Sequence, residues 1–99
     1  MRLTPEQIQT IKQTTHAVLG EDARVILFGS RADDAKKGGD IDLLFETNRA
    51  VANCAITIGT LYVALIRQLG DRKIDIILKD VLTSPAPVLE MAQQTGIQL

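Results

Sequence analysis

Val25-Ile26-Leu27-Phe28-Gly29-Ser30 and, nine residues later, Asp40-Ile41-Asp42-Leu43-Leu44-Phe45 decide how this chain folds. Each is a short apolar run of strand length. The first ends in a Gly-Ser pair, and the second contains two aspartates. Residues two apart on a strand face the same side, so Asp40 and Asp42 place both carboxylates on one face. A Gly-Ser turn after a strand offers backbone N–H groups, a hydroxyl and room for close approach. The combination reads as a divalent-metal site beside a phosphate grip, which is what phosphoryl or nucleotidyl transfer needs.

Connection lengths constrain how these strands pair. Eleven residues, Gly29 to Gly39, join the first strand (Arg24 to Phe28) to the second (Asp40 to Glu46). That is short for a parallel crossover, so the pair is expected to be antiparallel. A third strand, Lys73 to Leu78, follows more than twenty residues after the second. A helix fits in that gap, which suits a parallel crossover. The end of the first strand then lies beside the start of the second. A parallel third strand brings its own early acid, Asp75, to the same end. Asp40, Asp42 and Asp75 are expected to converge, with Ser30 across from them.

The rest of the chain reads as helices around that sheet. Thr4-Pro5-Glu6-Gln7 supplies an N-cap, a proline at the first helical position and a glutamine at N3. Ile8, Ile11, Thr15, Val18 and Leu19 continue the helix to Gly20, which stops it. Ser30 to Lys36 is expected to form a short helix ended by Gly38-Gly39. Asp33 and Asp34 suit its positive end, and Lys36 and Lys37 read as solvated surface. Asn48 is expected to cap a long helix from Arg49 to Leu69, closed by Gly70. Ser84-Pro85 opens a last helix to Thr95, with Pro87 in its tolerant first turn and Gly96 after it.

The Gly-Ser pair, the Asp-x-Asp motif and the later acid resemble the minimal nucleotidyltransferases of the DNA polymerase β superfamily. The resemblance covers nearly the whole chain. Four fixed positions match by chance in about one chain per thousand of this length, so the motif is specific. It implies an α/β fold, with a small mixed three-stranded sheet flanked by about four helices, as one domain over residues 1–99. It also implies that Asp40 and Asp42 ligate two Mg²⁺ ions. Asp75 would ligate one of them and orient or deprotonate the attacking hydroxyl. Gly29 and Ser30 would hold the triphosphate of ATP. Arg31 either reaches the phosphates or is an exposed first-turn residue.

Minimal nucleotidyltransferases of this length are typically paired with a helical HEPN-type protein. The small chain is then the antitoxin and the helical protein the toxin. The resemblance therefore implies transfer of AMP to a hydroxyl of that partner, a tyrosine. Two other readings stay open: an antitoxin that neutralises by binding alone, and a nucleotidyltransferase with a small-molecule acceptor.

Composition narrows the field. The chain has 99 residues, 45% of them hydrophobic, and a net charge of −1. That allows one domain with a thin core. No basic stripe marks a nucleic-acid binder. The start, Met1-Arg2-Leu3-Thr4-Pro5, does not read as a signal peptide, and no apolar run suits a membrane span. The single cysteine, Cys54, excludes an internal disulfide, fits a cytoplasmic setting and is expected in the core. His16 is the only histidine and is expected to be exposed, so no Ser-His-Asp triad or histidine-based metal cluster is available. Tyr62 reads as core or interface packing. The long helix is apolar on most sides: Val51, Ala55, Ile58, Tyr62, Leu65 and Leu69 form one stripe, and others flank it. A three-stranded sheet cannot cover it all, so a protein partner or self-association through this helix is expected.

Overall fold

Thr4 opens the first helix, α1 (Pro5–Leu19). Its hydroxyl accepts the Gln7 N–H, and the Gln7 side chain accepts the Thr4 N–H in return. This is the expected capping box. The computed structural model describes residues 3–29, 40–70 and 73–99. After α1 come strands β1 (Arg24–Phe28) and β2 (Ile41–Glu46), helix α2 (Cys54–Leu69), strand β3 (Ile74–Lys79), helix α3 (Pro87–Thr95) and strand β4 (Ile97–Gln98).

The sheet order is β3-β2-β1-β4. β1 pairs antiparallel with β2, and β2 pairs parallel with β3, as the connection lengths predict. β4 pairs antiparallel with β1 and was not expected. Two residues carry no periodicity from which a strand is read. The sheet thus has four strands where three were expected, and three of the about four expected helices are present among the described residues. The expected helix over Ser30 to Lys36 lies outside the described residues. Gly96 makes β4 possible: a Cβ there would strike the Ala92 carbonyl and Ile26 Cγ2 and would lie 3.0 Å from the Leu27 carbonyl oxygen.

Strand alternation splits the sheet into two faces. One carries Val25, Leu27, Ile41, Leu43, Phe45, Ile74 and Leu78, which bury with Ile11 of α1 and Leu61, Leu65 and Leu69 of α2. Each such large side chain contributes roughly 1.5–3 kcal/mol when fully buried. The other face is laid out in three rows by the register. Phe28, Asp42 and Asp75 form the first, Ile26, Leu44 and Ile77 the second, and Arg24, Glu46 and Lys79 the third. The apolar middle row, together with Phe28, seats Leu89 and Ala92 of α3. In the third row, Glu46 is buried, lies 3.8 Å from both Arg24 and Lys79, and accepts a 2.8 Å hydrogen bond from Gln93 Nε2.

Two helix starts differ from expectation. α2 begins at Cys54, capped by Asn53, whose side chain accepts the Ile56 N–H at 3.1 Å; Asn48 does not cap it. Buried Asp80 decides this by accepting the Val51 N–H at 2.9 Å, which keeps that segment out of the helix. α3 begins at Pro87, not at Ser84-Pro85. Ala86 precedes a proline, which disfavours helical backbone, and it is extended at φ −146°, ψ 150°. Cys54 is exposed rather than in the core, because it falls in the outward-facing first turn of α2. Tyr62 is also partly exposed, and His16 is exposed.

Asp80 also accepts the Leu82 N–H and the Thr83 hydroxyl, both at 3.0 Å. The backbone hydrogen bond from Val51, aided by Thr83 and Leu82, holds its carboxyl below the ordinary 3.8. A depressed folded-state value gives stability that is present above the unfolded value and lost as pH falls through the folded one. Asp80→Ala should therefore lower the thermal midpoint at pH 7. The deficit should shrink once the wild-type carboxyl protonates below 3.8. Melting curves of both proteins at neutral and strongly acidic pH check this.

Candidate active site

Asp42 is the one position of β2 that is not fully buried. An apolar residue in this central strand would contribute to the core, so a carboxylate there is costly. The parallel register sets Asp75 directly beside it, and the antiparallel register sets Phe28 on its other side. Adjacent strands lie about 4.8 Å apart, so the two carboxyl groups meet. Asp75 is exposed, while Asp42 is half-buried.

Gly29 follows Phe28 and closes on the same acid. Its φ is +74°, in the left-handed region that favours glycine. A Cβ at this position would collide with the Asp42 carboxylate and lie 3.1 Å from its Cγ. Two separate constraints thus require glycine at the head of the turn. Ser30 and Arg31, the other predicted phosphate contacts, lie outside the described residues.

The Asp42 carboxyl is held above its ordinary 3.8. Burial is the largest cause, followed by the hydrogen bond and negative charge of Asp75, then the charge of Asp40; Lys73 partly offsets them. Two carboxyl groups this close share a proton or need a cation. Asp40 Oδ2 lies 3.6 Å from Lys73 Nζ. Among the described residues, no three acidic, histidine or cysteine side chains surround a common ion position. The structure therefore brings Asp42 and Asp75 together and places Asp40 against a lysine. Sequence reasoning missed Lys73. The signal was present: once β2 and β3 are parallel, Lys73 falls opposite Asp40, and its carbonyl accepts the Ile41 N–H at 3.0 Å.

This donor set fits a hard divalent cation. Its ligands would be carboxylate oxygens, and a cation would offset the negative charge gathered at Asp42 and Asp75. Asp42 and Asp75 would be the primary ligands, with Asp40 close enough for its charge to act on Asp42.

Residues 8–91 match the family model of the nucleotidyltransferase domain. The chain belongs to that family. The match runs from the first turns of α1 into α3 and includes the Gly29 turn, Asp42 and Asp75. Its small α/β architecture, three helices on a four-stranded mixed sheet among the described residues, is consistent with the nucleotidyltransferase fold. Comparison with curated proteins found no match. Membership makes nucleotidyl transfer the general chemistry of this domain. Among the described residues, no helix of the nucleotidyltransferase domain is long and apolar enough to cross a membrane.

A raised folded-state carboxyl means that stability is lost as pH rises above the unfolded value, because the fold must then hold the charge. Asp42→Asn removes that charge. It should melt higher than the wild type at pH 7, with the advantage fading near pH 3.8 and below. Gly29→Ala should do the opposite. Left-handed backbone at a non-glycine residue costs about 1–2 kcal/mol, and the collision with Asp42 adds to it. Thermal melts of the two variants test both signs.

Proposed function

We propose that this domain transfers AMP from ATP to a hydroxyl on a helical HEPN-type toxin, a tyrosine, and serves as the antitoxin of that pair. One observation supports the chemistry above all: the Gly29 turn, Asp42 and Asp75 stand side by side along one row of the sheet. Gly29 and Ser30 hold the triphosphate, and Arg31 adds charge to that grip. Asp42 and Asp75, with Asp40, hold Mg²⁺. When bound, Mg²⁺ neutralises the triphosphate and polarises the α-phosphoryl oxygens. Asp75 is the exposed member of the pair and takes the proton of the acceptor hydroxyl. The new bond joins the acceptor oxygen to the α-phosphorus, and the bond to pyrophosphate breaks on the Gly29 side.

An acceptor protein needs a docking surface, and α2 offers one: Ile56, Gly59, Thr60, Val63, Ala64 and Arg67 line an open groove of about 540 Å³. Ile56 and Val63 are exposed large apolar side chains. This groove lies behind the sheet, on the helix layer opposite the acids. A partner seated there has to reach round the end of the sheet, where α2 closes at Gly70, to present its hydroxyl. The same groove favours the second reading, neutralisation by binding alone.

Co-expression with a neighbouring HEPN-type protein and intact-mass analysis separate the two. The proposal expects a complex in which the partner gains one or more AMP units. Asp42→Asn should keep the complex but abolish the mass gain, and Val63→Asp should weaken the complex. A partner that is neutralised equally by the Asp42→Asn chain and never gains mass makes the chain a binding antitoxin.

A further inference from the structure

We infer that Lys73 is a built-in cation of the nucleotide site: its ammonium opposes the loading of a divalent ion alone and favours the binding of ion and nucleotide together. The inference rests on the reading of the Asp42–Asp75 row as a nucleotidyl-transfer site. It adds a positioning residue that the Gly-Ser pair and the acids do not include.

The sheet itself delivers Lys73 to the acids. The Ile41 N–H donates to the Lys73 carbonyl at 3.0 Å, so the ladder that pairs Ile41 with Ile74 and Asp42 with Asp75 extends to Lys73. Residues two apart share a face, which puts Lys73 with Asp75 and Asp40 with Asp42. These side chains form two adjacent rows: Asp42 beside Asp75, and Asp40 beside Lys73. The second row is closed by the ion pair, with Lys73 Nζ 3.6 Å from Asp40 Oδ2. The charge of Lys73 also reaches the first row. Burial and the neighbouring acids raise the Asp42 carboxyl, and Lys73 pulls it back.

As a strut this ion pair is weak. The Lys73 side chain is 68% exposed and that of Asp40 49% exposed, and water screens such pairs. Exposure gives access instead. An ammonium carries three donors on a flexible stem. One carboxylate does not exhaust them, and a phosphate bound over the acids brings further oxygens into the same field.

Elementary electrostatics gives the two effects opposite signs. Among the described residues, the two rows hold three carboxylates and one ammonium. A divalent ion arriving alone is drawn by the acids and repelled by Lys73. A triphosphate carried with that ion is repelled by the acids and drawn by Lys73. One fixed positive charge therefore makes the site poorer for the bare ion and better for the complex. The site fills when ion and nucleotide are both present. A lysine that merely supported the fold would move both affinities in one direction or neither.

The test measures two affinities on the full chain by calorimetry: Mn²⁺ alone, and a non-hydrolysable ATP analogue at saturating Mg²⁺. Lys73→Gln keeps the stem and removes the charge, Lys73→Ala removes both, and melting curves confirm that each variant folds. We expect both to bind Mn²⁺ about three- to ten-fold more tightly and the ATP analogue about three- to ten-fold less tightly. Lys73→Arg, which keeps the charge, should stay close to wild type in both. The control Arg67→Gln removes an equal charge from α2, on the other side of the sheet, and should change neither. If both affinities move in the same direction, or if either is unchanged in Lys73→Gln and Lys73→Ala, the inference is overturned and the role of the acids stands. A wild type that binds neither Mn²⁺ nor the analogue overturns the nucleotidyl-transfer reading, and this inference with it.

Discussion

The side-by-side placement of Asp42 and Asp75 is the constraint on which the rest depends. It follows from a single choice, the parallel register of β2 and β3. A one-residue slip of β3 would turn Asp75 into the layer beneath α1 and α2 and turn the core residues of β3 outward. The register is held by the burial of Leu43, Phe45, Ile74 and Leu78 on the opposite face. The core therefore positions the chemistry. The burial of Asp42, together with its hydrogen bond to and repulsion from Asp75, is the local cost and raises the Asp42 carboxyl.

The same alternation divides labour between the two sides of the sheet. One face builds the main core and backs it with α1 and α2. The other grades from acidic through apolar to a mixed charged row around Glu46. α3 packs on the middle row and is bonded to the charged row by Gln93, and among the described residues Asp75 of the acidic row stays exposed. The open row and the exposed outer face of α2 are consequently on opposite sides of the molecule.

Much of this was legible in the sequence. The strand Arg24 to Phe28 and the pairing senses of β1, β2 and β3 follow from apolar runs and connection lengths, which are local quantities. The capping box at Thr4 is equally local. What was missed depends on contacts distant in sequence. Asn48 and Asn53 are both competent caps, and Asp80, 29 residues beyond Val51, selects between them. β4 exists because Gly96 tolerates close approach to Ile26, which no periodicity encodes. The partnership of Asp40 with Lys73 needed the register before it could be seen. Family membership and the small α/β architecture agree with the resemblance drawn from Gly29, Asp40, Asp42 and Asp75.

The most direct measurement is a carbon-13 NMR titration of the Asp42 carboxyl group, with and without Mg²⁺ and a non-hydrolysable ATP analogue. Without the cation, Asp42 should titrate above 3.8. With the cation and nucleotide bound, Asp42 should stay ionised down to lower pH, because the bound positive charge favours its carboxylate. Titration curves that are identical in the two conditions would contradict the account.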